Sequence, residues 1–441
     1  MDGRAIRGRK IAIMTMIHDM DEVEEEAPLE LILDEAWEDH HMDEIALARE
    51  IQEAWYHQIN PSVTQPIHLR VLAFVPCSFG SMLQTVGIQS IIERIQVIDL
   101  VKADVEEMDV SRLIQCIPKL KALEFHSETL QGTQAILDSL IPHQESLIHL
   151  SVVRSTCADS DSMKNIFKGM APIVSGKLQA LELDFCVSSD EAVSSLVDQL
   201  QNLKLTGLTS FTITLTGRDS RNSHQTLHHL ARFVRNIQSS KVAMKFSIQE
   251  MPRLFSSVQR LEPIDDLVHA FHAKPPLEFF VGDVGLTSES IGEICKIGNT
   301  MHSPNSFLGI MEEALLEGSM LQALCLHLPS IKVRNLSLVD KKPTSDWSEK
   351  EKEAILGAIH TNASIYHLHC RFGQCPQTPV ALSQIKLQPI FDRNKCIDLT
   401  RIDSHKKIAL PLWPKLLEIF GKEELGHTPT YLFLQSHLWS S

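Results

Sequence analysis

The chain has 441 residues, of which 43% are hydrophobic and 22% charged, and its formal net charge is −15 at pH 7. No stretch approaches the roughly 18 consecutive apolar residues of a membrane span, and the chain lacks the clustered Lys and Arg of a nucleic-acid-binding protein. Nine scattered cysteines predict reduced thiols in a cytoplasmic protein, with a nuclear location as the alternative, rather than a disulfide framework.

The first 60 residues carry most of the negative charge. They contain 5 Lys and Arg against 16 Asp and Glu, a net charge of −11. Residues 1–27 are predicted to form a disordered acidic arm, with an arm that docks on a partner or mimics nucleic acid as the alternative. Residues 28–62 are predicted to form an amphipathic helix that caps the apolar edge of the fold behind it.

The clearest pattern in the chain lies between residues 178 and 203. It begins with the motif Leu178-x-x-Leu181-x-Leu183-x-x-Cys186, which predicts a short strand whose inward residues are two apart. A capping box, Ser188-x-x-Glu191, and apolar residues at helical spacing follow it. The first part matches the consensus Leu-x-x-Leu-x-Leu-x-x-Asn/Cys-x-Leu, so the chain resembles leucine-rich-repeat proteins here.

Degraded copies of this unit recur along residues 63–383, as stacking requires, because one unit cannot bury its own apolar face. In chain order they are Leu69-x-x-Leu72-x-Phe74, Ile95-x-x-Ile98-x-Leu100, Leu120-x-x-Leu123-x-Phe125, Leu147-x-x-Leu150-x-Val152, the unit at Leu178, Leu208-x-x-Phe211-x-Ile213, Ala243-x-x-Phe246-x-Ile248, the weaker Leu277-x-Phe279, Val333-x-x-Leu336-x-Leu338 and Ile365-x-x-Leu368-x-Cys370. The first six steps are 26, 25, 27, 31, 30 and 35 residues. Such long repeats are typical of the ribonuclease-inhibitor-like class.

The segments between the strands predict helices. Apolar residues recur on one helical face between Ser223 and Ile237, and Asp159 or Ser160 is placed to cap the helix that carries Met163. We therefore predict an α/β leucine-rich-repeat solenoid, a horseshoe of about nine or ten repeats. Parallel strands would line its concave side, helices its convex side, and helical caps both ends. An ordinary doubly wound α/β protein is the alternative, although it does not require the same leucine phase in every unit.

The interval between Leu277 and Val333 breaks the rhythm, because its 56 residues are twice the usual step. Residues 306–316 there are predicted to be helical. The motif Leu321-x-x-Leu324-x-Leu326 resembles a strand, but it lies only 12 residues before Val333. Either one of these two motifs is a helix, or an irregular double unit fills the interval.

Residues 384–441 leave the repeat pattern. They contain Phe391-Asp392-Arg393-Asn394, then Leu410-Pro411-Leu412-Trp413-Pro414 before Leu416, and finally Tyr431-Leu432-Phe433-Leu434. With the repeats, this tail is similar to that of a group of leucine-rich-repeat proteins from microalgae. The resemblance implies an array closed by a terminal apolar helix, and we predict a C-terminal cap.

No catalytic or cofactor-binding motif stands out: a phosphate-binding Gly-rich loop, a Gly-x-Ser-x-Gly turn and a His-Glu-x-x-His helix are all missing. The best metal candidate combines His367, His369, Cys370 and Cys375. On a strand, however, Cys370 would face the core and the two histidines the other side, so these ligands would not close one tetrahedron. We predict no enzyme, no metal and no cofactor.

Function is therefore expected on the concave face of the sheet, where exposed side chains alternate with the core. The candidate partner-binding residues are Asp99, Glu124, His126, His149, Glu182, Asp184, Lys245, Gln249, His367, His369 and Arg371. This face runs from acidic to weakly basic and has few aromatic anchors. We predict a monomeric scaffold that binds a protein partner with a basic end. A solvated face without a partner, a substrate-recognition subunit of a ubiquitin ligase, and a regulator of a small GTPase or ribonuclease are the alternatives.

Overall fold

The computed structural model has an α/β fold in which parallel strands alternate with helices. It describes residues 29–33, 66–71, 89–100, 107–127, 129–203, 205–217, 225–237, 242–252, 254–255, 262–313, 315–316, 318–341, 349–362 and 364–372. The chain divides into two compact units. The N-terminal unit comprises Met1–Ile213 and Ile237–Val242, and the C-terminal unit comprises Thr214–Asn236 and Ala243–Ser441.

In the N-terminal unit, each of the first five strands pairs in parallel with the strand that follows it in the chain. The described elements are β1 (Leu29–Leu33), β2 (Ile67–Val71), α1 (Gln89–Ile92), β3 (Ile95–Leu100), α2 (Glu107–Cys116), β4 (Ala122–His126), α3 (Leu130–Leu140), β5 (His149–Ala158), α4 (Ser160–Val174), β6 (Ala180–Val187) and α5 (Asp190–Asn202). The division between the units falls inside β7 (Ser210–Gly217).

The C-terminal unit repeats the same arrangement of parallel neighbours. Its described elements are α6 (Gln225–Asn236), β8 (Ala243–Gln249), α7 (Glu262–Ala273), β9 (Glu278–Gly282), α8 (Ser288–Gly298), β10 (Phe307–Glu312), α9 (Gly318–His327), β11 (Asn335–Asp340), α10 (Glu349–Thr361) and β12 (His367–Phe372). Across the described ranges of both units, no helix is both long enough and apolar enough to span a membrane.

Leucine positions of the repeat form the core of each unit. Leu123, Leu150 and Leu181 lie side by side in register and are fully buried. In the C-terminal unit, the ring centroid of Phe271 on α7 lies 5.2 Å from that of Phe246 on β8, and the two rings meet edge to face. The helices therefore pack on the leucine-bearing face of the strands, which confirms the predicted alternation of strand and helix.

Helix starts lie close to the predicted caps. The Oδ1 atom of Asp159 accepts a hydrogen bond from the backbone N–H of Ser162 at 2.7 Å, as its place before α4 predicts. Before α5, Ser188 is the predicted cap, but Ser189 caps the helix instead. Its Oγ accepts from the N–H of Ala192 at 3.3 Å, because Ser189 is the residue with extended dihedral angles next to the helix.

The N-terminal end differs from the helix predicted over residues 28–62. Residues Leu29–Leu33 form strand β1, which pairs in parallel with β2. Their alternating leucines suit a strand as well as a helix, and the backbone ladder with β2 favours the strand. The rest of residues 28–62, the predicted arm over 1–27 and the predicted cap over 384–441 lie outside the described residues.

The first repeat starts three residues earlier than predicted. The motif places Leu72 opposite Ile98, whereas the register places Leu69 there. Ile67 and Leu69, two residues apart on β2, are both buried. The alternation of apolar residues therefore begins at Ile67, and the predicted phase was wrong for this repeat.

Two regular repeats fill the interval between Leu277 and Val333. Phe279, Leu308 and Leu336 occupy equivalent positions in register, 29 and 28 residues apart by their numbers. The helix predicted over residues 306–316 was wrong, because these residues contain strand β10. The motif at Leu321 lies on helix α9, whereas the motif at Val333 leads into strand β11, which confirms the alternative in which one of these two motifs is a helix. Helical and strand spacing coincide in such short apolar runs, so only the parallel partners of β10 decide.

Two carboxylates at the ends of β10 and β11 are buried and hold the loops of preceding repeats. The Oε2 atom of Glu312 accepts hydrogen bonds from three successive backbone N–H groups, those of residues 284–286, at 3.0 to 3.1 Å. The Oδ2 atom of Asp340 accepts one from the N–H of Leu316 at 2.9 Å. Each loop is therefore fixed by the strand of the repeat that follows it.

Candidate functional site

In the N-terminal unit, the parallel register aligns charged residues across the exposed face of the sheet. Arg70 lies opposite Asp99, and Asp99 lies opposite Glu124. Ser151 on β5 stands between Glu124 and Glu182. The Nε atom of Arg70 donates to Oδ2 of Asp99 at 3.1 Å. Because neighbouring strands are about 4.8 Å apart, this register brings three carboxylates within a short span and gives them one guanidinium.

The carboxyl of Glu124 lies at the centre of this row. Its pKa is raised above the ordinary value, mainly because burial disfavours the charged form. The negative charges of Asp99 and Glu182 raise the pKa further, whereas the positive charge of Arg70 acts in the opposite direction. Negative charge therefore exceeds positive charge around Glu124, and a cation that approaches this face is attracted.

Asp184 extends the charged surface by one row. It lies opposite Val153, which in turn lies opposite His126. Burial raises the pKa of Asp184, and the positive charge of His126 opposes that rise. The Nε2 atom of His149 is 3.9 Å from Oε1 of Glu182, so the two form an ion pair when the imidazole is protonated. We call Asp99, Glu124, Glu182 and Asp184 the acidic cluster.

The exposed face of the C-terminal unit begins with a compensated charge. The Nζ atom of Lys245 lies 2.8 Å from Oε1 of Glu278, a residue that the sequence analysis did not select. The Nε2 atom of Gln249 donates to Oγ of Ser247 at 2.8 Å on the same strand. Both predicted residues of β8 therefore have partners within the sheet face, and Lys245 contributes little net positive charge.

The next strands carry apolar side chains that the sequence analysis missed. Phe280 lies opposite Gly309, and its ring occupies the space above that glycine, since a Cβ on Gly309 would lie 2.3 Å from ring carbon Cδ2. Met311 has the same relation to Gly282, where a Cβ would lie 2.6 Å from the methionine Cε. We call Phe280, Phe307 and Met311, all partly exposed, the apolar shelf.

Two signals could have revealed this shelf. Phe280 follows the buried Phe279, so strict alternation along β9 places it on the exposed face. Phe307 and Met311 flank the buried Leu308 and Ile310 in the same way, but the helical interpretation of residues 306–316 concealed their alternation. The sequence analysis therefore did not include Phe280 and Phe307 among the candidate residues of the exposed face.

The last described strand carries the remaining predicted residues. His367, His369 and Arg371 lie opposite Asn335, Ser337 and Val339 of β11. Cys370 lies opposite the buried Leu338, so the backbone register separates it from both histidines, as expected of a strand. Cys375 lies outside the described residues. Among the residues that the structure describes, no group of three or more His, Cys, Asp or Glu side chains is arranged to hold a metal ion.

A histidine on the helical side of the C-terminal unit also has a defined partner. The Nδ1 atom of His228 on α6 lies 3.0 Å from Oδ2 of Asp266 on α7, and Arg235 bonds the other carboxylate oxygen. Burial alone would raise the pKa of Asp266, but these hydrogen bonds lower it below its ordinary value. This cluster joins two helices and is remote in sequence from the acidic cluster and the apolar shelf.

Two surface depressions lie elsewhere. One of about 500 Å³ is lined by Arg94, Cys116 and Lys119 among others, and one of about 650 Å³ lies between α3 and α4. Neither is lined by residues of the acidic cluster or the apolar shelf.

The chain matches no protein-family model, and it matches no curated protein either.

Proposed function

We propose that this protein is a non-catalytic scaffold of the leucine-rich-repeat type, and that the acidic cluster binds a basic segment of a protein partner. The crowding of carboxylates around Glu124 carries the proposal. Burial and two neighbouring negative charges raise its pKa, and one guanidinium offsets them only in part. A Lys or Arg side chain from a partner would relieve that repulsion and form charge-assisted hydrogen bonds.

The repeat architecture supports the same proposal. One residue from each of five neighbouring strands, β2 to β6, contributes to a row across the sheet. A partner segment in an extended conformation can therefore contact these residues one after another. A row of side chains along a sheet face suits binding better than catalysis, which needs polar groups that converge on one point. The supporting features are therefore the row of strand side chains and its negative charge.

A charge-reversal experiment tests the proposal. The triple variant Glu124→Lys, Glu182→Lys, Asp184→Lys and the wild-type chain would each be used as bait in extracts of the native cell, with bound proteins identified by mass spectrometry. We expect proteins with basic segments to be retained by the wild type, released as the salt concentration rises, and lost from the triple variant. A bait without residues 1–60 would show whether the acidic N-terminal segment contributes.

A matched control separates local charge from net charge. The variant Glu145→Lys, Asp198→Lys, Glu353→Lys changes the net charge by the same amount at exposed helical and loop positions. It should retain the wild-type set of proteins. If the triple variant of the acidic cluster retains that set as well, the proposal is wrong.

A further inference from the structure

The acidic cluster surrounds one small polar side chain, that of Ser151. Ser151 faces the exposed side of the sheet, because its neighbours along β5, Leu150 and Val152, are both buried in the core. It is nevertheless only 3% exposed. The parallel register places it between Glu124 on β4 and Glu182 on β6, whose side chains are longer and partly exposed. Ser151 therefore lies at the bottom of a gap between two carboxylates.

The oxygen atoms around this gap have unused capacity for hydrogen bonds. Within the part of the chain that the structure describes, neither Oγ of Ser151 nor the carboxylate of Glu124 forms a hydrogen bond. Glu182 has one weak contact, the 3.9 Å separation of its Oε1 atom from Nε2 of His149. Buried polar groups in folded proteins normally have partners, so an unpaired hydroxyl at this depth points to a ligand that supplies one. The gap suits a group that donates several hydrogen bonds.

The charges around the gap select a cation. The negative charges of Asp99 and Glu182 both act on Glu124, and Arg70 is the one positive charge that opposes them there. The guanidinium of Arg70 is already bonded to Asp99, on the side of Glu124 away from Ser151. A cationic group that enters the gap therefore gains from both flanking carboxylates without displacing an existing ion pair.

An ammonium group fits this gap better than a guanidinium. A lysine ammonium is compact, and its three N–H donors point in different directions, whereas the donors of arginine lie in one plane. Glu124 and Glu182 stand two strands apart, roughly 10 Å between their backbones, with Ser151 below and between them. Three acceptors that approach from two sides and from below match the ammonium. Arginine instead favours the two oxygens of a single carboxylate and makes no use of Ser151.

We propose that a lysine side chain of the partner inserts between Glu124 and Glu182, with its ammonium group bonded to both carboxylates and to Oγ of Ser151. Ser151 is then a specificity-determining residue, because its hydroxyl accepts the N–H that the two carboxylates leave free. This inference rests on the proposed function, since it names the residue that the acidic cluster selects from a basic segment.

Binding of two fluorescent peptides to the full chain, octalysine and octaarginine, tests this inference. The peptides carry the same charge, so a surface that only attracts cations does not favour octalysine. We expect the wild type to bind octalysine about fivefold more tightly than octaarginine. Ser151→Ala should lower the affinity for octalysine by about fivefold and the affinity for octaarginine by less than about twofold. Since the hydroxyl has no partner to lose, thermal unfolding of this variant should match that of the wild type.

Ser337→Ala is the matched control. Ser337 is also a buried serine between two core leucines of its strand, but it lies between Gly309 and His369 rather than between carboxylates. It should leave both affinities unchanged. Equal affinities of the wild type for the two peptides, or a loss in Ser151→Ala that is absent or the same for both, would overturn the lysine inference and leave the proposed function intact. Failure of both peptides to bind at low salt, or equal binding by the triple charge-reversal variant, would overturn the proposed function and this inference with it.

Discussion

The side-chain amide of Asn362 donates a hydrogen bond to the carbonyl oxygen of Leu328, at 2.7 Å, in a fully buried position. The same Nδ2 atom donates to the carbonyl of Ile331, and Oδ1 accepts from the backbone N–H groups of Ser364 and Ile365. One asparagine thus joins the turn after α9 to the residues that lead into β12. Its burial also removes the Asn-x-Ser motif at this position from any glycosylating enzyme in the folded chain.

Replacing this asparagine should destabilise the protein. Asn362→Ala leaves backbone donors and acceptors buried with fewer partners, and we expect a loss of about 3 kcal/mol in the free energy of unfolding. Urea unfolding measures it. Asn299→Ala is the control, because the hydrogen bond from its Nδ2 atom to Oγ of Ser330 is long, at 3.4 Å, and exposed. An equal effect of both substitutions would contradict the structural role of Asn362.

Glu124→Gln should stabilise the chain at neutral pH. The folded-state pKa of Glu124 is raised, so its ionised form opposes folding at pH values above that pKa, and the opposition disappears as the pH falls below the ordinary glutamate value. Melting temperatures of wild type and variant should therefore differ at pH 7 and converge in mild acid. Glu145→Gln, at an exposed position, is the control and should show no gain. A stabilising effect combined with weaker partner binding would mark Glu124 as a residue that serves binding at a cost in stability.

Asp266→Asn should have the opposite effect. The folded-state pKa of Asp266 is lowered by Arg235 and His228, so its carboxylate stabilises the fold above its ordinary pKa, and this contribution is lost as the pH falls through the lowered value. We expect the variant to lose about 1 kcal/mol at pH 7 and the difference to vanish in strong acid. Thermal unfolding over that pH range measures it. Asp265→Asn, the neighbouring position on α7, is the control; a difference that stays constant with pH would contradict the assignment.

Alkylation should distinguish two of the cysteines. Burial raises the pKa of Cys295 to about 12, so at pH 8 only about one thiol in ten thousand is ionised. Iodoacetamide should therefore modify Cys295 only after the chain unfolds, whereas the exposed Cys116 should react in the native protein. Peptide mapping by mass spectrometry measures the fraction of each cysteine that is alkylated. Rapid native labelling of Cys295 would show that α8 opens readily.

The sequence predicts the buried face of this protein better than the exposed one. Leucines at fixed spacing mark Leu123, Leu150 and Leu181 because burial requires an apolar side chain at each of these positions. Exposed positions carry no such requirement, so only its place next to the buried Phe279 marks Phe280 as exposed, and its position over Gly309 depends on the register of β9 with β10. The errors at β1 and β10 share one cause. Each is a segment of five or six residues with several apolar side chains, which is too short to distinguish helical from strand spacing, and hydrogen bonds to another strand decide between them.

The acidic cluster could also be predicted from the sequence only in part. Its members could be selected from the sequence, because alternation along each strand places them outward. The repeat phase also places Asp99, Glu124 and Glu182 at the same level. The partial burial that raises the pKa of Glu124 could not be predicted, since it depends on how the neighbouring side chains pack. The salt link between Arg70 and Asp99 was likewise hidden by the shifted first repeat.

The carboxylate of Glu312 stabilises a loop that precedes it in the chain. The three N–H groups that it binds belong to the repeat before its own. The conformation of the loop at residues 284–286 therefore depends on a residue that comes later in the chain. During synthesis, residues 284–286 acquire their partner only after β10 has left the ribosome. A chain cut before Glu312 would therefore leave these three N–H groups without their carboxylate, one repeat further back than the cut.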